Sequence, residues 1–323
     1  MSDANQKTGA DVEEQSIIST TLKPVSAGRG ALERRVSGAL GGAIERASWR
    51  TCRQLGANIG LLFFTAGKRR RELAISNLQM ALGMSRAEAT RAARRSAQNW
   101  GMTTCEFLHI PGASPQEIRD YVSFEGYENL QNALDTGNGA VVLTAHLGNW
   151  ELLAARIAME APTAGIVRPL SNQTAQEKMS GVRRGYGLEL ISKHAAARPS
   201  LKALKRGESL VILPDRHAGP EGVVLPLFGK ATRFESAPAR MAQMSGALVV
   251  PAWGVRRGPW LSNGRIDARI LPGFSVANPS RAEREEAVLQ GTREVMASLE
   301  DIVRQHPDQW SWMLRRWRDD DLR

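Results

Sequence analysis

The stretch Ala140-Val141-Val142-Leu143-Thr144-Ala145-His146-Leu147-Gly148-Asn149-Trp150-Glu151 decides how the chain is read. Four apolar residues introduced by Gly137 and Gly139 predict a buried strand over 140–143. Leu152-Leu153-Ala154-Ala155-Arg156-Ile157-Ala158-Met159 predicts a helix. His146 then lies on the turn between them. Gly148 permits a tight bend, Asn149 can cap the helix, and Glu151 falls in the first turn, where the helix dipole favours negative charge. From there the carboxylate can fold back onto the imidazole. A histidine held by an acid at one ring nitrogen can take a proton from a hydroxyl with the other, and no protein nucleophile is then required. The same residues also fit a structural histidine at a strand end beside a helix-capping glutamate.

Working outward, strands and helices alternate: strand over 164–167, helix over 174–186, strand over 188–191, helix over 199–205, strand over 209–213. This predicts an α/β fold with a mostly parallel central sheet flanked by helices, in which ligands collect beyond the carboxyl ends of the strands. His146, Arg168 and Asp215 all fall at such ends. Arg168 can hold a phosphate oxygen or neutralise charge near a reacting carbonyl. Asp215 opens a loop with Arg216, His217, Gly219, Pro220 and Gly222, and it either lines an acceptor pocket or pairs with Arg216. Arg233 and Arg240 are candidate phosphate contacts, as well as candidate solvated charges. The closing residues Trp310, Met313, Leu314 and Trp317 follow helical spacing, a stripe that faces either the core or, with Arg315, Arg316 and Arg318 interleaved, a membrane interface.

A chain of 323 residues with 42% hydrophobic and 24% charged content buries a sizeable core. Cys52 and Cys105 are far apart, with neither metal spacing nor the density of a disulfide framework, which suits a reducing compartment. Lys and Arg number 43 against 33 Asp and Glu, a net charge of +10 that calls for an acidic partner: nucleic acid, an anionic lipid surface, a phosphorylated substrate or an acidic carrier protein.

Residues 1–30 are polar and read as a disordered tail without a signal-peptide layout. Residues 31–110 read as an N-terminal helical, membrane-associating region, and 111–323 as the α/β core. Within the former, 54–67 is an uncharged stretch holding Ile59, Leu61, Leu62, Phe63 and Phe64, preceded by Arg53 and followed by Lys68-Arg69-Arg70-Arg71. It is shorter than the roughly 20 residues of a membrane span. The arrangement fits an amphipathic or re-entrant segment in a lipid interface, or a core helix with a basic end. Residues 72–108 read as a helical pair serving as scaffold, with Arg86, Arg91, Arg94 and Arg95 as a solvated face or as contributors to carrier or headgroup binding.

The wording of the central segment, with other blocks in order, resembles the lipid A biosynthesis lauroyl and myristoyl acyltransferases, within the lysophospholipid acyltransferase-like superfamily marked by His, four residues, then Asp or Glu. His146 and Glu151 match that motif. Phe124-Glu125-Gly126-Tyr127-Glu128-Asn129-Leu130, Arg168-Pro169, Leu213-Pro214-Asp215 and Pro226-Leu227-Phe228-Gly229 continue it. So do Ala239-Arg240-Met241-Ala242, Gly246-Ala247-Leu248-Val249-Val250-Pro251 and Pro307-Asp308-Gln309-Trp310-Ser311-Trp312-Met313, over roughly residues 70–318. The resemblance implies an O-acyltransferase without a cofactor or metal, in which His146, oriented by Glu151, deprotonates an acceptor hydroxyl. Asn149, Arg168, Asp215, Arg233 and Arg240 are the expected substrate contacts. It further implies an acyl carrier protein or acyl-CoA as donor, a glycolipid acceptor of the lipid A precursor type, and work at the cytoplasmic face of the inner membrane. Sibling acceptors are a phosphatidylinositol mannoside, a lysophospholipid or an aminolipid.

Two other classes fit less well. A serine hydrolase would show a Gly-x-Ser-x-Gly elbow, which the chain lacks. A nucleic-acid-binding protein would use the positive charge, but no helix-turn-helix, RNA-binding aromatic signature, zinc spacing or phosphate loop occurs, and His146 and Glu151 would have no part to play.

Overall fold

Strand β2 (Ala140–Leu143) is buried along its whole length and has a neighbour on each side, which is why its sequence is a continuous apolar run and not an alternation. A computed structural model describes residues 41–318. The expected tail over 1–30 lies outside the described residues, as do positions 31–40 and the last five. Among the described residues, seven strands form one sheet in the order β1-β9-β8-β2-β5-β3-β4. In chain order these are β1 (Val122–Glu125), β2, β3 (Thr163–Val167), β4 (Leu188–Ser192), β5 (Ser209–Ile212), β8 (Leu248–Arg256) and β9 (Ile266–Ile270). Strands β6 (Val223–Leu227) and β7 (Lys230–Phe234) form a separate antiparallel hairpin.

Five adjacent strands run parallel, as the alternation predicts. The sheet departs from this at one edge, where β9 is antiparallel to β8 and β1 pairs parallel with β9. Chain length explains the reversal. Only residues 257–265 join β8 to β9, too few for the crossover of a dozen or more residues that a parallel return needs.

Helices cover both faces. From residue 49 onward, the first three are α1 (Trp49–Ala66), α2 (Lys68–Leu82) and α3 (Arg86–His109). They are followed by α4 (Pro115–Tyr121), α5 (Tyr127–Leu134), α6 (Trp150–Ala158), α7 (Gln173–Gly185), α8 (Ala197–Lys205), α9 (Ala237–Ser245) and α10 (Arg284–Gln305). Residues such as Ala203, Leu204, Met241, Val295 and Leu299 from α8, α9 and α10 share one core with Val141 and Leu143. Those of α4, α5, α6 and α7 share a second core with Ala140 and Val142 on the other side.

The segment expected at a lipid interface is α1, and its inner side is built for a protein neighbour. A Cβ on Gly60 would stand 2.1 Å from the Ala97 carbonyl oxygen, and one on Gly101 2.1 Å from that of Gly56, so α1 and α3 touch backbone to backbone. The outer side leaves Leu62 65% exposed and Phe63 39% exposed. No described helix is long and apolar enough to cross a membrane.

The closing stripe is not a helix. Residues 310–317 run as a bridge and turns; Trp310 and Trp312 are fully buried edge-to-face at 4.7 Å, with Phe228 beside them. The spacing of their tryptophans is set by contacts with the β2 turn and the β6–β7 hairpin, since Trp310 bridges Leu147 and the Trp317 indole donates to the Leu227 carbonyl.

Candidate active site

The parallel register of β2 and β5 places Leu143 beside Ile212, and the Thr144 N–H donates to the Ile212 carbonyl. Three residues past the last position of β2 and of β5, the chain carries His146 and Asp215 respectively. They meet there. The His146 backbone N–H donates to Asp215 Oδ2 at 3.0 Å, and Nδ1 lies 2.7 Å from Oδ1. An ionised carboxylate only accepts, so Nδ1 carries the proton, and in the neutral imidazole Nε2 keeps its lone pair. The ring is 22% exposed and lines a cavity of about 690 Å³, within the range of small-molecule sites. Trp150 backs it at a centroid distance of 5.1 Å.

Asp215 itself is fully buried behind the cavity wall. Burial alone would push its carboxyl up; His146, the Arg316 guanidinium and the Trp310 indole N–H reverse this and hold it well below the usual carboxylate range. Arg316 Nη2 and Trp310 Nε1 each donate to Oδ2 at 2.9 Å, and Arg316 Nε donates to the Asp215 carbonyl. The acid is therefore anionic and immobile beneath the imidazole. Its cationic partner is Arg316 from the C-terminal segment, where the sequence offered the adjacent Arg216.

Glu151 occupies the first turn of α6 as expected, but its carboxylate does not fold back onto His146. Arg183 of α7 holds it in a two-point grip, Nε to Oε2 at 3.1 Å and Nη2 to Oε1 at 2.5 Å, and the Trp150 indole donates to Oε1. The planar guanidinium matches both carboxylate oxygens, while the imidazole has a closer acid at the end of β5. Burial disfavours the Arg183 charge, yet Glu151 beside it outweighs this and raises the guanidinium above its ordinary value. Both side chains line the cavity.

Of the other expected contacts, Arg168 stands at the end of β3 on the cavity wall, with Pro169 and Leu170. Asn149 does not face the cavity. It is fully buried, its Oδ1 capping the Leu152 N–H of α6 and its Nδ2 donating to Glu106 Oε2 at 2.7 Å. A capping residue beneath an enclosed turn has no route to substrate. Arg233 lies on β7 and Arg240 on α9, where Glu285 of α10 takes both Arg240 Nη atoms at 2.9 Å; neither arginine is part of the cavity wall.

Below the turn runs a polar network that sequence reading did not find. Glu106 of α3 and Arg256 of β8, both fully buried, form two hydrogen bonds of 2.8 and 2.7 Å. Tyr121 donates to Glu106 Oε1, Arg53 donates to Tyr121, and Arg256 Nε donates to Asn99 Oδ1. Asn99 and Thr103 in turn donate to the Gly148 carbonyl, and Gln309 accepts the Gly148 N–H. Removing one member of such a buried pair costs about 3–5 kcal/mol, so the turn that carries His146 rests on a stiff base. The only hint in the sequence was a charged residue, Glu106, set between the apolar Cys105 and Phe107.

Gly148 adopts φ +57°, and a Cβ there would stand 1.9 Å from the Gly254 carbonyl oxygen. Gly148→Ala is accordingly expected to destabilise the protein by roughly 2–4 kcal/mol, through left-handed strain and displacement of β8. A thermal melt indistinguishable from wild type would contradict this placement.

The rest of the cavity is apolar, with Trp100, Phe107, Ile166, Met179, Leu213 and Met313 among its walls, and its cations are Arg168, Lys178, Arg183, Lys193 and Arg216. An aliphatic chain fits the first set and an anionic or polar head the second. Among the described residues no cluster of three or more His, Cys, Asp or Glu stands at metal-binding geometry.

The sequence profile of the bacterial lipid A biosynthesis acyltransferases matches residues 42–319. A lipid A biosynthesis lauroyltransferase of Escherichia coli is 24% identical over 269 residues, covering 82% of this chain and 84% of its own. A phosphatidylinositol mannoside acyltransferase of Mycolicibacterium smegmatis is 24% identical over 191 residues, covering 55% of this chain, which spans 63% of that relative's length. One from Mycobacterium tuberculosis is 21% identical over 231 residues, covering 69% of each chain. With most of its length matched by one profile, the chain belongs to the bacterial lipid A biosynthesis acyltransferase family and is an acyltransferase.

Proposed function

We propose that the protein moves a fatty acyl chain from the thioester of an acyl carrier protein to a hydroxyl of a lipid A precursor, with His146 as general base and Asp215 as the acid that orients it. The observation that carries this is the His146 Nδ1–H bonded to a buried, ionised Asp215, which leaves Nε2 basic at the wall of an apolar cavity. The acceptor oxygen attacks the thioester carbonyl carbon as its proton passes to Nε2. The tetrahedral oxyanion then collapses, the carbon–sulfur bond breaks, and the imidazolium returns the proton to the leaving thiolate. Arg168 and Arg183 are the cations at hand to offset the oxyanion or to hold a phosphate of the acceptor. Exposed Leu55, Leu62 and Phe63 of α1, with residues 68–71 in the first turn of α2, support seating at an anionic membrane surface, in this reading the cytoplasmic face of the inner membrane.

The acceptor is the part on which the relatives diverge, one being named for lipid A and another for a phosphatidylinositol mannoside. Incubating the protein in membranes with labelled acyl-carrier thioester and each glycolipid separates them. Transfer to the lipid A precursor is the expected result; transfer only to the mannoside would keep the chemistry and replace the acceptor. No transfer to any lipid hydroxyl would end the proposal.

The two carboxylates are told apart by conservative variants. Glu151→Gln weakens the grip on Arg183 but leaves the imidazole and its acid intact. It is expected to raise KM for the acceptor about tenfold, with kcat falling less than fivefold and the pH profile of kcat unchanged. A kcat loss of several hundredfold would make Glu151 the partner of His146 after all.

A further inference from the structure

Helix α8 carries Arg198, Lys202 and Lys205 at i, i+4 and i+7, a single face along about 10 Å of helix, and all three are exposed. None of them makes an ion pair or hydrogen bond through its side chain among the described residues, whereas Arg206 just beyond is held by Glu189 and Glu208. The opposite side of the helix, with Ser200, Ala203 and Leu204, is buried against the sheet. The stripe begins where the cavity ends: Lys193 and Ala196, the latter the residue capping α8, are part of the cavity wall.

We propose that this face of α8 docks the acidic protein that presents the acyl thioester, a proposal that rests on the donor named above. A transferase joining a membrane lipid to a chain on a soluble carrier needs two approaches to one cavity, and its walls differ in the required way. On the side of α1 and α3, exposed Leu55, Leu62 and Phe63 accompany the cations, the mixture a lipid interface takes. On α8 the cations stand without any exposed large hydrophobic residue between 192 and 208, which suits a charged protein surface and long-range steering. A nucleotide end such as that of acyl-CoA is held in a concave site, whereas these three cations lie along one exposed helix face. Docking there sets the acyl arm two residues from the cavity wall, at Ala196.

The test is the charge reversal R198E/K202E/K205E in the full chain, with a thermal melt to verify folding. Steady-state rates are measured with two donors, an acyl-carrier-protein thioester and the same acyl group on the small thiol N-acetylcysteamine. The expected result is a KM for the carrier donor raised at least tenfold with kcat within twofold of wild type, loss of the wild-type salt dependence, and unchanged kcat/KM for the small thioester. An unchanged carrier KM would overturn the docking site, as would an equal loss with both donors. Wild type that uses the small thioester or acyl-CoA but not the carrier thioester would overturn the donor reading and the docking site with it. Binding to anionic phosphatidylglycerol vesicles is expected to be equal in variant and wild type. Its loss, with the carrier KM intact, would assign the stripe to lipid and overturn the proposal.

Discussion

Replacing His146 with alanine is expected to lower the rate of acyl transfer by about 10³-fold, within the 10²–10⁴ that general acid–base catalysis contributes, while the protein stays folded. The asymmetry follows from position. The imidazole is partly exposed to the cavity, and its removal leaves Asp215 with Trp310 and Arg316 still bonded to Oδ2. No buried charge is orphaned. Single-turnover transfer of labelled acyl chain, with donor and acceptor saturating, reads the loss directly, and a melt within a few degrees of wild type separates chemistry from collapse. A variant retaining a tenth of the wild-type rate would remove the base from the mechanism.

Asp215→Asn is expected to damage both. The asparagine amide presents either a donor or an acceptor to Nδ1, so the imidazole no longer keeps Nε2 unprotonated, and a loss on the order of 10⁴-fold in kcat follows from the wrong tautomer. Arg316, buried and bonded to the same carboxylate, loses its charged partner, which costs about 3–5 kcal/mol. pH distinguishes this from an ordinary packing defect. Because the folded carboxyl is held well below its unfolded value of about 4, its contribution to stability is complete above that pH and is lost as pH falls below it. Denaturant melts of wild type and variant should therefore differ by a constant margin from pH 5 to 8, and the margin should shrink on acidification below about 4. A margin that widened in acid would contradict the ionised Asp215.

Much of this was legible in the sequence because the informative segments are short and locally determined. The strand predicted over 140–143 is β2 residue for residue, and the alternation downstream gave β3, β4 and β5 and the helices between them to within two residues, though not β8. The pairing of His146 was not legible in the same way. Glu151 is five residues away and was the natural partner, whereas Asp215 is 69 residues away and becomes adjacent only once β2 and β5 are known to be neighbours. Arg316 and Glu106 are harder still, since their partners lie 101 and 150 residues off. The closing tryptophans show the opposite error: a helical period without a helix, because contacts to two different elements happened to fall three and four residues apart. The reversal at β8 and β9 depended on counting the residues between them, which the alternation of strand and helix does not convey.

The equal distance of His146 and Asp215 from their strands has a consequence for chain length. Thr144 and Ala145 on one side, Leu213 and Pro214 on the other, act as a matched pair of spacers. A residue of extended chain advances about 3.3 Å, more than the 2.7 Å that separates Nδ1 from Oδ1. One residue inserted into either spacer carries its side chain past the other, so both lengths are fixed jointly. The loop beyond Asp215 and the helix beyond Glu151 carry no such constraint. Homologues of this protein should thus vary in length freely there and hardly at all in these four positions.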